Sequence, residues 1–215
     1  ELVKLLEDRY DRVSSGENEF DAYKPDSYAP GLEIRTKDIQ QSHLITGIPI
    51  FSVFDDRRYD IAVLNSILSG GMSSRLFQNI REAHGVAYQI FSFVNHYRDT
   101  GSFGVYLATD PAKRALALDL TMKELEKIVK DPVSASELET VKAQYKSGVV
   151  MGDESMERRM IRLGRQQIYY GENISLDHFL LKIEAIDGER IQALARELFN
   201  PELFFTSILE PVSAV

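Results

Sequence analysis

Cysteine is missing from all 215 residues. That removes a disulfide framework, a thiol nucleophile and any cysteine metal site, without identifying a compartment. Histidine is scarce: His43, His84, His96 and His178 are the four, and no two stand four residues apart. H-E-x-x-H and its inverse are therefore both absent, and a zinc site made from this chain alone would need ligands distant in sequence. The glycines form neither G-x-x-x-x-G-K-S/T nor G-x-G-x-x-G, which excludes the usual phosphate cradles. No G-x-S-x-G nucleophile elbow occurs. No catalytic or metal-ligating residue is assigned to the chain.

Basic runs are lacking too. The formal net charge is -8 and the sequence pI is about 5.1. Nucleic-acid binding needs clustered Lys and Arg against phosphate, so no nucleic-acid partner is expected. An acidic surface is compatible with basic peptides. No apolar run approaches the roughly 20 residues that span a bilayer, and no signal peptide is visible.

What is present suits a globular protein. Hydrophobic residues make up 44% of the chain, enough for one large domain or two small ones with a real core. ELVKLLEDRYDRV, residues 1–13, is helical in pattern, with Leu2, Leu5, Leu6 and Tyr10 on one face. It reads as the last helix of a preceding unit. SSGENEFDAYKPDSYAPG, residues 14–31, is rich in turn formers and reads as a linker or long loop.

Residues 32–215 then form the main domain. LEIRTK and QSHLITGIPIF read as strands, the second ended by Pro49, and FDDRR as a solvated turn. YDIAVLNSILS is a helix stopped by Gly70 and Gly71, and SRLFQNIREA a second helix N-capped by Ser73 or Ser74. VAYQIFSFVNHY and SFGVYLAT are two strands joined by the RDTG hairpin signal. Asp110 and Pro111 open a helix whose core stripe is expected to be Leu118, Met122, Leu125 and Val129. Ser134 and Glu137 form a capping box for the next helix, three further helices follow, and LFFTSIL closes as a strand. Strands in antiparallel pairs and helices in runs predict an α+β fold, a mostly antiparallel sheet with helices packed on one face.

The stretch LSGGMSSRLFQNIREAHGVAYQI places Arg81 near a helix end and Tyr88 near a strand start, on either side of Gly85. Glycine allows a sharp backbone turn between them, so both side chains could project toward one space. A guanidinium fork and a phenol suit peptide carbonyls or carboxylates. The alternative is structural, with Arg81 serving the helix C-terminus and Tyr88 the sheet.

Three motifs stand in a fixed order: Gly-Gly-Met-Ser-Ser-Arg-Leu-Phe, Arg-Glu-x-x-Gly-x-Ala-Tyr and Tyr-Arg-Asp-Thr-Gly. With QSHLITGIPI before them and MGDESMERRMIRLGRQQIYYG after, the chain from about residue 32 onward resembles the second, non-zinc half of the pitrilysin and mitochondrial processing peptidase family. The resemblance implies two homologous α+β halves closing on a peptide. It implies H-x-x-E-H, zinc and an activating glutamate in an N-terminal half, as a segment of this protein or a partner chain, and none in this one. It implies that Arg81 and Tyr88 hold the peptide substrate, and that Ser69-Gly70-Gly71-Met72 is a short form of a substrate-handling loop, with Gly70 and Gly71 as contacts.

The expectation is thus the substrate-binding half of a zinc endopeptidase, inactive alone. Its setting is expected to be soluble, in a bacterial cytoplasm or periplasm, and a homodimer that mimics the two-half clam is compatible with it. The rivals are a non-proteolytic structural subunit of a larger complex and a free-standing peptide-binding module.

Overall fold

A computed structural model describes residues 1–11 and 28–212. Most of the expected linker 14–31, and the end of the expected tail helix 1–13, lie outside the described residues. Helix α1 (Leu2–Tyr10) forms where its periodicity predicts, and none of its residues is buried.

Five strands make one sheet: β1 (Gly31–Lys37), β2 (Ser42–Ile50), β3 (Ala87–His96), β4 (Gly101–Thr109) and β5 (Phe205–Pro211), in the order β1-β5-β2-β4-β3. Among the described residues only β1 and β5 pair in parallel; the other three pairings are antiparallel. The α+β, mostly antiparallel expectation is met. Alternation along β2 and β4 sends Leu44, Ile48, Ile50, Phe103, Val105 and Leu107 into the core, while Ile45 of β2 and Phe91 of β3 stay exposed on the opposite face.

Helices α2 (Arg58–Ser69), α3 (Arg114–Lys130), α4 (Ala135–Asp153), α5 (Met156–Tyr170), α6 (Leu176–Glu184) and α7 (Gly188–Leu198) complete the domain. Ile61, Leu64, Ile67 and Leu68 of α2 are fully buried, at about 1.5–3 kcal/mol each for an apolar side chain taken from water. On α3 the fully buried face is Ala117, Thr121, Leu125 and Ile128. Leu118, Met122 and Val129 of the expected stripe are only partly buried. The helix is rolled toward α7, so a one-residue offset in the stripe separates core from flank.

Three local expectations are corrected. Pro49 does not end its strand: β2 runs to Ile50. Its pairing with β5 stops at Gly47, so the imino acid sits where β2 has lost that neighbour and no ladder donor is needed. FDDRR is more than a solvated turn. The Arg57 guanidinium bonds Asp55 and Glu197 and holds the Asp55 carboxyl below its ordinary pKa. Arg58 stacks over Tyr59 (4.5 Å) and Tyr170 (5.4 Å), which docks the end of α5. The Ser134 hydroxyl does accept from the Glu137 amide, but the Glu137 carboxylate does not return to the cap. It faces Arg75 instead.

Candidate substrate-binding site

The segment expected as an α-helix over 74–83 widens after one α-turn into a π-helix, Phe77–Glu82. Ala83 N donates to Gln78 O, a five-residue step. Neither Ser73 nor Ser74 caps it by accepting an amide. Ser74 Oγ instead donates to Gly71 O (2.6 Å), and Gln78 Nε2 donates to Met72 O (2.6 Å). These bonds fold the Gly70-Gly71 loop back on the helix it precedes. Gly71 has φ +142°, a conformation that favours glycine. One π-turn inside a helix is uncommon, and such turns concentrate at functional sites.

Arg81 lies in this π-helix and is exposed. Its guanidinium carbon stands 5.0 Å from the centre of the Phe77 ring. Among the described residues no carboxylate reaches ion-pair distance of it. Phe77 steadies the side chain through a cation–π contact without neutralising its charge. Buried Ile80 anchors the turn from below.

The connector from Arg81 to Tyr88 is fastened along its length. Gly85 N donates to Arg81 O (3.1 Å), with Gly85 in the left-handed region at φ +57°. Lys113 Nζ donates to Gly85 O (3.2 Å), and Thr109 Oγ1 donates to Val86 O. Val86 and Ala87 are buried. Tyr88 follows at once and is 57% exposed. In the ladder Ala87 faces Thr109 and Gln89 faces Ala108, which leaves Tyr88 as the extra residue of a β-bulge. Bulges bend a strand and re-aim one side chain.

The two sequence-predicted residues thus leave opposite ends of one pinned connector, each from a backbone irregularity, and both face solvent. Gly70 and Gly71 are joined to the same unit through Met72 and Gln78. Beside that loop, Ser66, Gly70, Ser73, Ser134, Ser136 and Thr140 line a cavity of about 300 Å³.

Sequence reasoning missed the clamp that seats this unit. Arg75 Nε and Nη2 donate to Glu137 Oε1 (2.8 Å) and Oε2 (2.7 Å), tying the start of the π-helix to α4. The signal was a half-apolar helix carrying one arginine in its first turn. It was outweighed by the capping-box reading of Glu137.

Three of the four histidine rings have hydrogen-bond partners. The His43 ring pairs with the Tyr106 hydroxyl (2.8 Å), His84 with Asn79 O, and His96 with Phe51 O (3.3 Å). Among the described residues no group of three His, Asp or Glu could hold a metal ion. Also among the described residues, no helix is long and apolar enough to cross a membrane.

Comparison with known proteins gives the family. Residues 1–145 match the profile of the peptidase M16 inactive domain. The chain is 35% identical over 200 residues to the uncharacterized zinc protease YmxG of Bacillus subtilis, covering 88% of this chain and 49% of that one. It is 35% identical over 172 residues to an uncharacterized zinc protease of Mycobacterium tuberculosis, covering 80% and 39%. The chain therefore spans less than half the length of these relatives. The crystal structure of a peptidase M16 inactive domain from Pseudomonas fluorescens superposes with a TM-score of 0.75 at 19% identity, over 89% of this chain and 46% of that one. A profile match over most of the length and 35% identity to the Bacillus subtilis protein lead to one assignment: the chain belongs to the peptidase M16 family, as an inactive domain of its zinc-protease-like members.

Proposed function

We propose that this chain is the C-terminal, substrate-clamping half of an M16 zinc endopeptidase. In this reading residues 1–13 are the tail of a preceding catalytic half, residues 14–31 the link between halves, and residues 32–215 the clamping domain. The observation that carries it is Arg81, an exposed guanidinium steadied by Phe77 with no carboxylate at ion-pair distance among the described residues. A surface arginine held ready without a partner suits a carbonyl or carboxylate brought by a ligand. Tyr88, turned out by its bulge, offers a phenol donor from the other end of the same connector.

Zinc chemistry belongs to the companion half, and no step at a metal is ascribed to this chain. Arg81 would donate to peptide carbonyl oxygens and fix the register of the backbone. Tyr88 would donate to a neighbouring carbonyl, or to the oxygen that gains charge when that carbonyl is attacked. Gly70 and Gly71 would let a peptide pass close to the loop, since neither carries a side chain.

The test is cleavage of a quenched fluorescent peptide by this chain, by the catalytic half, and by the two together. Cleavage is expected only in the mixture. Arg81→Ala and Tyr88→Phe should each lower it by about tenfold or more, with unchanged circular dichroism. Undiminished cleavage by both variants would remove the assignment of the site.

A further inference from the structure

Helix α5 is packed inside out. The side turned to the domain is largely polar. Arg162 Nη2 donates to Asp153 Oδ1 (2.8 Å), Gln166 Nε2 to Ile174 O (3.2 Å) and the Tyr170 hydroxyl to Val53 O (3.0 Å). The side turned to solvent carries Met156, Met160, Ile161 and Ile168, all exposed, Ile168 by 77%. No residue of α5 is buried. A surface helix of a globular protein turns its apolar stripe to the core. One that turns a contiguous apolar stripe to water marks an interaction surface.

The charges on this face are arranged in a pattern. Residues four apart on a helix stand in one ridge. Glu157, Ile161 and Arg165 form such a ridge, negative at one end, apolar in the middle and positive at the other, and all three are exposed. Among the described residues neither Glu157 nor Arg165 reaches ion-pair distance of an opposite charge. Read in the opposite direction, the ridge is its own complement. The neighbouring ridge holds Met156, Met160, Gly164 and Ile168. A Cβ at Gly164 would meet nothing within 4 Å, so the ridge has a notch open to an approaching side chain.

We propose that the outer face of α5 pairs with the same face of a second copy of this chain, across a two-fold axis beside Ile161. Aligning the two ridges crosses the helices antiparallel at roughly -50°. Glu157 of one protomer then stands beside the partner's Arg165, and Arg165 beside the partner's Glu157, as an isologous contact requires. The apolar side chains leave water between these two charge pairs. Charge complementarity selects this occupant. A net charge of -8 repels one copy from another in general, so a face that offsets it twice over is specific to self-association. An anionic lipid surface fits poorly, because Glu157 stands among the apolar residues that would enter it. The inference does not rest on the clamping role. One helix pair is a small contact, so the dimer is expected in the micromolar range.

Sedimentation velocity on this chain tests it, over concentrations of about 1 to 500 µM. The parent should pass from monomer to dimer across that range. Glu157→Arg and Arg165→Glu should each weaken the dimer by about tenfold or more, since like charges then meet at both ends. An equimolar mixture of the two variants should dimerise again, because each end of the mixed pair joins one arginine to one glutamate. The chain carrying both substitutions should dimerise as the parent does. Both positions are exposed, and unchanged circular dichroism checks that the variants fold. Three results would overturn the proposal: a parent that stays monomeric, single variants that dimerise as well as the parent, or a mixture no more associated than its components. A monomeric parent whose Met156 and Met160 are shielded from peroxide oxidation only after the catalytic half is added would overturn it too, by assigning the face to that half.

Discussion

Arg75 and Glu137 grip each other through two parallel hydrogen bonds of 2.8 and 2.7 Å, although 62 residues separate them. Both side chains are mostly shielded, 18% and 31% exposed, so the pair is screened little by salt. Double-mutant analysis with Arg75→Ala and Glu137→Ala should give a coupling of about 1–3 kcal/mol in urea unfolding. Each single change should also weaken peptide binding, because the π-helix that presents Arg81 loses its tie to α4. Additive losses would show that the pair does not act as a unit.

Gly85 sets the turn between the two candidate residues. A side chain there meets nothing within 4 Å, so only the backbone at φ +57° resists it. Gly85→Ala is expected to cost about 1–2 kcal/mol, and Gly85→Asn less, since asparagine tolerates the left-handed region. Thermal unfolding of the two variants checks the order Gly, Asn, Ala.

Phe103 is 1% exposed, with its ring centre 5.0 Å from that of Phe199. It joins the centre of the sheet to the end of α7. Phe103→Ala should cost about 3–5 kcal/mol through the cavity it leaves, measured as a lowered urea midpoint. A loss below 1 kcal/mol would mean that the core closes over the gap.

His96 gives a pH dependence of known sign. Burial is the main cause that pushes its imidazole below the ordinary pKa, aided by the Arg58 charge and opposed by the bond to Phe51 O and by Asp55. The native state therefore prefers the neutral ring. Its contribution is present above the unfolded value of about 6.5 and lost as pH falls through the folded value. The urea midpoint should fall more steeply on acidification in the parent than in His96→Gln, which cannot take up that proton. Equal slopes would show that other groups carry the acid sensitivity.

Much of this architecture was legible in the sequence because periodicity and punctuation agree. Gly70 and Gly71, the RDTG turn and the Asp110-Pro111 pair each mark a boundary that the fold observes. The two irregularities that present Arg81 and Tyr88 were not legible. The π-turn lies beside Arg75, which meets Glu137 from α4, and the one-residue bulge lies where Thr109 faces Ala87 from β4. Local composition records neither partner. Arg81 and Tyr88 themselves were read through family resemblance, since an exposed arginine and tyrosine are ordinary by themselves. The α3 stripe shows the finer limit, where Thr121 is buried and Met122 only partly so because a neighbouring helix chooses the roll.

The place of β5 has a consequence for the order in which the protein is made. β5 is the last strand in the chain, yet it lies between β1 and β2. A ribosome that has released residues up to Thr109 has supplied the β3-β4 hairpin and β2, which pairs with β4. β1, made before the other four strands of the sheet, has no strand neighbour until Phe205–Pro211 emerges beside it. β1 thus lacks its sheet partner while residues 38–204 are made, and the charges on β1 are placed where they would hinder its premature pairing with another chain.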